Sequence, residues 1–207
     1  MKFIDSHCHL QMKAFRKNLK QILDNARTAG VQSIINVGFD LRSSEEAVEL
    51  AQKYQFMYAA VGIHPHDAKT YDNHTLKILE GFLSDSHVVA IGEIGLDYKR
   101  NLSPPGIQKS VFTEQLVFAK EKDVPVILHI RDAYSAVFKI LEGEKAERIL
   151  LHCFSGNAIE AKKGAANGYH ISFSGNVTYA GGDLINAVRE VSAEIMLSGT
   201  KHSQKKS

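Results

Sequence analysis

Short apolar runs alternate with longer amphipathic stretches along most of the 207-residue chain. The runs are apolar or β-branched on both faces, as strands covered by helices on both sides must be. They are Phe3-Ile4-Asp5, SIINVG (33–38), MYAAVGI (57–63), VVAIGEIG (88–95), VPVILHI (124–130), RILLHCF (148–154) and YHISFSG (169–175). Between them lie helical patterns, and Gly30 and Gly168 stand where two helices should end. This alternation predicts a parallel sheet with helices outside it.

The polar residues favour a closed barrel over an open sheet. No GxGxxG follows a strand and no GxxxxGK[ST] occurs, so the phosphate-loop signals of open nucleotide-binding sheets are absent. Polar residues instead gather at the C-terminal ends of many strands, as in a TIM-type (β/α)8 barrel. We therefore predict an α/β barrel that is incomplete, with about seven βα units.

The end of the sequence limits this barrel. After VREVSAEIML the chain reads SGTKHSQKKS, which is polar. We expect one barrel domain over residues 1–195 and a polar, disordered tail over residues 196–207. A barrel open between its seventh and first strands exposes two sheet edges, which predicts reduced stability, aggregation or dimerisation.

Composition and charge exclude little. With 44% hydrophobic residues the chain can bury a sizeable core, and its net charge of +2 neither indicates nor excludes nucleic-acid binding. No apolar run has the length of a membrane span, and the N-terminus lacks the pattern of a signal peptide. Two cysteines, Cys8 and Cys153, do not make a disulfide framework. We expect a cytoplasmic protein, or a nuclear one in a eukaryotic cell.

Side chains that bind metals follow the apolar runs. His7 and His9 are one residue apart after the first run, so on a strand their rings share a face. Glu93, His129 and His152 follow or end three later runs, so all five groups should meet at one barrel mouth. A buried carboxylate beside imidazoles calls for a cation, and Glu93 can bridge two. Imidazoles favour zinc, manganese and other transition metals, and magnesium prefers oxygen ligands, so the metal stays open.

Six motifs carry a resemblance to a known family. DSHCHL, VGIHPH, IGEIGLDY, VILHIRDA, LHCFSG and ISFSGNVTY resemble, in this order from Phe3 to about Ile195, the TatD family of metal-dependent deoxyribonucleases. That family belongs to the amidohydrolase superfamily of TIM barrels. The resemblance implies a metal-dependent hydrolase with 3′→5′ exonuclease activity on DNA, either single-stranded or at 3′ ends.

The same resemblance implies roles for individual residues. Two divalent ions (magnesium, manganese or zinc) would be held by His7, His9, Glu93, His129 and His152, with Glu93 as the bridge. Asp97 would orient a ligand or a loop. Three residues would contact the substrate phosphate, Arg131 because a planar guanidinium grips two phosphate oxygens; the three are His64, Arg131 and Ser155.

The sequence departs from the family pattern at one point, the final strand. Members carry a final strand with an LLETD-type motif, whose aspartate binds metal and positions or deprotonates the water. Here SGTKHSQKKS follows AEIML, and this final-strand Asp is absent. We interpret the chain as truncated, and we expect weak or no activity.

Two alternatives stay open. A barrel of this superfamily can also cleave an amide or ester, such as a D-aminoacyl-tRNA bond. A carboxylated lysine would favour that branch, whereas Glu93 favours the nuclease. The other alternative is a non-catalytic isoform that binds metal, nucleic acid or a partner. The oligomeric state is open as well.

Overall fold

The computed structural model describes residues 2–179 and 181–198. Within them the chain forms eight strands, and all seven predicted apolar runs contribute one. The strands are β1 (Phe3–Cys8), β2 (Val31–Val37), β3 (Met57–Val61), β4 (Val88–Asp97), β5 (Val126–Arg131), β6 (Ile149–Leu151), β7 (His170–Phe173) and β8 (Met196–Ser198).

Helices connect the strands. They are α1 (Leu19–Thr28), α2 (Leu41–Lys53), α3 (Thr75–Leu83), α4 (Pro105–Glu121), α5 (Tyr134–Gly143), α6 (Ala158–Ala166) and α7 (Gly182–Arg189), with short 3₁₀ turns at Ala68–Thr70 and Gly175–Thr178. Gly30 and Gly168 have φ values of 95° and 74°, the left-handed conformation that ends a helix. Asp40 and Ser43 form a reciprocal capping box that starts α2. None of the described helices combines the length and the apolar composition of a membrane span.

The strands pair in sequence order, each parallel to the next, in a nearly closed barrel. The fold class is therefore the predicted TIM-type barrel. The seven predicted βα units are present, and an eighth strand that the sequence analysis did not find, β8, pairs with β7 and also lies against β1. A run of three residues is too short for its periodicity to be recognised; only the pairing edge of β7 makes it a strand.

Strand β8 also changes the prediction that the edges of β7 and β1 are exposed. The opening predicted between β7 and β1 is occupied by Met196–Ser198, which lie in the stretch expected to be a disordered tail. The remainder of that stretch, residues 199–207, lies outside the described residues, so its predicted disorder stays a prediction.

One residue from each of five neighbouring strands forms an apolar layer inside the barrel. This layer consists of Val37, Ala60, Ala90, Ile127 and Leu150. Because side chains on a strand alternate between faces, residues two positions further along β5 and past β6 point to the same interior. Those residues are His129 and His152. The apolar layer is thus a floor under the polar barrel mouth.

Candidate metal centre

His7 and His9 point their Nε2 atoms at each other and at one carboxylate oxygen. The two Nε2 atoms are 3.1 Å apart. Glu93 Oε2 lies 3.3 Å from the His7 Nε2 and 3.6 Å from the His9 Nε2. The HxH spacing therefore brings both rings to Glu93, as the sequence predicted.

The neighbouring strand β2 fixes this histidine loop. His9 Nδ1 lies 2.7 Å from the carbonyl oxygen of Val37. A carbonyl only accepts, so Nδ1 carries the proton and Nε2 keeps its lone pair for a metal. Buried Asn36 accepts a 2.7 Å hydrogen bond from the Leu10 N–H. Burial, followed by the charge of His7, lowers the pKa of His9, which favours the neutral form of its ring.

Glu93 faces histidines with both of its oxygens. Oε2 faces His7 and His9, and Oε1 lies 3.1 Å from His129 Nδ1. The side chain is buried, which alone would raise the pKa of its carboxyl group. The charge of His7 and hydrogen bonds from His129 and His7 outweigh burial and hold this pKa well below its ordinary value. Glu93 is thus an ionised carboxylate with two separately directed oxygens.

His129 lies between two carboxylates. Its Nε2 is 3.1 Å from Asp97 Oδ2, and the same oxygen is 2.7 Å from His66 Nε2. Burial tends to lower the pKa of His129, but hydrogen bonds to Asp97 and Glu93 raise it overall. Asp97 is fully buried and therefore fixes the orientation of both rings.

His152 stacks on His7, with ring centroids 3.3 Å apart and planes 9° from parallel. One donor atom from each of His7, Glu93 and His152 lies within 4.8 Å of the others. Burial, together with the charge of His7, holds the pKa of His152 well below its ordinary value, so this ring is also neutral. A second such group consists of His64, His66 and His129.

The donor separations fit a metal ion. Bonds of about 2.0–2.1 Å in a tetrahedral zinc site place neighbouring donors about 3.3–3.4 Å apart. The separations among the two Nε2 atoms and Glu93 Oε2 are 3.1, 3.3 and 3.6 Å. The residues present therefore fit a divalent transition metal.

The predicted phosphate contacts lie around this cluster. His64 is buried, with its ring centroid 4.4 Å from that of His129. Arg131 ends β5 and pairs in register with Asp97. Ser155 is exposed in the β6–α6 connection, where its N–H donates to the Tyr134 hydroxyl at 3.0 Å. These three roles remain predictions.

Sequence reasoning assigned no role to three residues that shape the site. His66 repeats, with His64, the HxH spacing of the first strand, and that repetition was an available signal. Gln115 is buried in α4 and binds both the N–H and the carbonyl of Ile63, next to His64. Gln108, also buried, binds the backbone of Asp97 in both directions. Glutamines inside amphipathic helices give no pattern that reveals such contacts.

The fold and the site define the class of the protein, a metal-dependent hydrolase built on a TIM-type barrel. Comparison with known families identifies the particular one: the TatD-related DNase family matches residues 4–202. The chain belongs to this family. Residues 196–202 fall inside the match, yet neither they nor the residues after them include an aspartate or glutamate.

Individual relatives agree with this assignment. An uncharacterised metal-dependent hydrolase, YabD, of Bacillus subtilis is 39% identical over 84% of this chain and 69% of its own length. The 3′-5′ ssDNA/RNA exonuclease TatD of Cronobacter sakazakii is 36% identical over 83% of this chain and 66% of its own. The chain thus spans about two thirds of these relatives. The crystal structure of YjjV, a TatD homologue from Escherichia coli, has a TM-score of 0.88 at 32% identity, covering 96% of this chain and 78% of its own.

Proposed function

We propose that this protein is a phosphodiesterase that removes nucleotides from the 3′ ends of single-stranded DNA with two divalent metal ions. The activity for which the Cronobacter relative is named, that of a 3′-5′ ssDNA/RNA exonuclease, supports the substrate class. The activity, the compartment and the nucleic-acid partner of the whole protein are all part of this proposal. We expect the compartment to be the cytoplasm, because Cys8 and Cys153 are both free thiols.

The two-sided geometry of Glu93 carries the proposal. One oxygen faces the His7–His9 pair and the other faces His129. A carboxylate that binds one ion needs only one such side. A carboxylate with histidines at both oxygens is arranged to bridge two ions, as in the two-metal sites of nucleases.

Each ion would have its own pair of histidines, and the two ions would share Glu93. We assign His7, His9 and Glu93 to one ion, and Glu93, His129 and His152 to the other. Magnesium, manganese or zinc ions, when bound, supply an acidified water and neutralise charge on the phosphate. His152 also lies near the first set through its stacking on His7, so the two sites share one continuous wall of rings.

Other side chains hold the substrate and the ligands. His64, Arg131 and Ser155 bind the phosphate, Arg131 with two parallel N–H donors. Asp97 keeps the rings of His66 and His129 in fixed orientations through its hydrogen bonds at 2.7 and 3.1 Å. The neutral rings of His9 and His152 offer lone pairs at neutral pH, because burial lowers the pKa of both.

The lack of a carboxylate in residues 196–207 lowers the expected rate. The family's final aspartate supports the water, so we expect weak turnover by this chain. The same observation favours a second candidate, a non-catalytic chain that binds metal or nucleic acid. A family-type final strand grafted after Ile195 should then raise activity; an unchanged rate would show that the aspartate is not what limits this chain.

The first experiment is nucleotide release from a single-stranded DNA labelled at its 3′ end, with magnesium, manganese or zinc. His129→Ala should abolish release, and His170→Ala, which removes an exposed histidine, should not change it. Metal-dependent release that needs His129 supports the nuclease. No release above the His129→Ala level in a folded, metal-bound sample refutes it and leaves the non-catalytic candidate.

A further inference from the structure

A groove opens at the C-terminal end of the barrel beside the metal cluster. The β6–α6 connection forms one wall, and described residues of the 3₁₀ turn after β7 and of α7 form the other. Its volume is about 440 Å³, and Ser155, Asn176, Tyr179, Asp183 and Leu184 are among the residues that line it. This volume lies in the range of small-molecule sites.

The walls of the groove are held in place by hydrogen bonds. Asn176 donates from Nδ2 to the Phe154 carbonyl at 3.2 Å, joining the two walls. Its Oδ1 accepts from the Ser174 hydroxyl at 3.0 Å. The Tyr179 N–H donates to the Asn176 carbonyl at 3.3 Å, which ties the tyrosine backbone to the same wall. The groove therefore exists before any ligand arrives.

An aromatic ring at this groove faces solvent. The Tyr179 side chain is 80% exposed, and the buried, apolar Leu184 also lines the groove. A single exposed aromatic residue is common on protein surfaces. Here the ring instead borders a groove that Leu184 also lines, and an exposed aromatic ring at the edge of a groove suits a flat ligand stacked on it.

The charge of the groove disfavours a phosphate beyond its Ser155 end, where the phosphate of the proposed substrate would lie. The described lining residues include no lysine, arginine or histidine, and Asp183 brings a negative charge. Asn176, Ser155 and Asp183 offer hydrogen-bonding groups instead. A planar, uncharged ligand with N–H donors at its edge matches these walls, and a nucleobase has these properties.

We infer that this groove is a nucleobase subsite in which the base of a bound nucleotide stacks on Tyr179 and turns its N–H edge towards Asp183. The inference rests on the proposed nuclease function and deepens it. Ser155, at one end of the groove, follows the predicted ligand His152 by only three residues. A nucleotide with its phosphate at the cluster then places its base in the groove.

Equilibrium binding tests this subsite without requiring hydrolysis. We would measure fluorescence anisotropy of two labelled tetramers with phosphorothioate links, which resist cleavage, in the presence of manganese. One tetramer carries thymine bases and the other carries abasic tetrahydrofuran sugars on the same backbone. The proteins are the full chain, Tyr179→Ala and the matched variant Tyr179→Phe, which keeps the ring.

The full chain should bind the thymine tetramer roughly 5- to 100-fold more tightly than the abasic one, the usual effect of stacking one base. Tyr179→Phe should retain this preference, and Tyr179→Ala should remove it while leaving affinity for the abasic tetramer unchanged. Equal affinity for both tetramers, no binding of either, or a preference that survives Tyr179→Ala would each overturn the subsite.

The release assay separates this inference from the proposed function. A base preference that depends on Tyr179, with no metal-dependent release, refutes the nuclease and leaves the subsite standing. Metal-dependent release with no base preference supports the nuclease and refutes the subsite.

Discussion

Asp97→Asn isolates the contribution of one buried carboxylate to both stability and metal binding. Asp97 Oδ2 accepts hydrogen bonds from His66 Nε2 at 2.7 Å and His129 Nε2 at 3.1 Å, and Oδ1 accepts from the Arg100 N–H at 2.8 Å. Asparagine keeps the shape of the side chain. It can keep the bond from Arg100, but its amide nitrogen then faces both imidazoles.

The expected cost follows from these contacts. A hydrogen bond to a charged group contributes about 1.5–3 kcal/mol, and two such bonds are lost. A change of tautomer by one histidine recovers part of this, so we expect the free energy of unfolding to fall by about 2–4 kcal/mol. Because Asp97 also orients His129, zinc affinity should fall about 10- to 100-fold.

Urea unfolding in EDTA, followed by circular dichroism, measures the first effect. With a slope of about 2–3 kcal/mol per molar urea, the midpoint should fall by about 1 M. Asp132→Asn is the matched control, because this carboxylate is 61% exposed and its ion pair with Lys99, at 3.7 Å, contributes little to stability. A midpoint change for Asp97→Asn no larger than that of Asp132→Asn, with unaltered zinc affinity, would refute this account of Asp97.

The other predictions concern the supports of the site and its titration. Gly95→Ala should prevent folding or lower the free energy of unfolding by more than about 3 kcal/mol, because Gly95 has φ 136° and an added Cβ would lie 2.1 Å from the His129 carbonyl oxygen. The control Gly81→Ala in α3 places its Cβ where no atom lies within 4 Å and should stabilise the protein by about 0.5–1 kcal/mol. Thermal denaturation of both variants tests this, and similar melting temperatures would contradict it. Gln115→Leu should lower the free energy of urea unfolding by about 2–5 kcal/mol, because the buried N–H and carbonyl of Ile63 lose their hydrogen-bond partner. The control Gln52→Leu, at an exposed position, should change this free energy by under about 1 kcal/mol. Equal effects of the two substitutions would show that the Ile63 contacts do not stabilise the protein. In EDTA, stability should rise with pH around 6.5: His9, His64 and His152 have a lowered pKa, so the unfolded chain binds more protons there, whereas the raised pKa of His129 opposes this for one group only. Urea unfolding at pH 5.5, 6.5 and 7.5 should show a slope of at most about 1.4 kcal/mol per pH unit for each net proton, and a stability that falls over this range would contradict the assignment.

The alternating apolar runs and the placement of histidines after them were sufficient to predict a parallel barrel with its site at the mouth. Both are local patterns: a strand buried on both faces must be apolar, and the period of two carries the direction of Ile127 on to His129 and of Leu150 on to His152. For the same reason, His7 and His9 could be expected to meet one partner. The resemblance of six motifs then supplied the family, which the comparison confirmed.

The tertiary structure decided what depends on residues far apart in the sequence. Met196–Ser198 become a strand only because β7 offers an edge, since three residues have no pattern of their own. The contacts of Asp97 with His66 and of Gln115 with Ile63 span 31 and 52 positions, and nothing local marks either pair. The contacts of both Glu93 oxygens with histidines likewise arise where β1, β4 and β5 come together, and the groove beside Tyr179 arises where separate segments of the chain meet. Sequence period fixes the face on which a side chain lies, whereas its partners are set by the closure of the barrel.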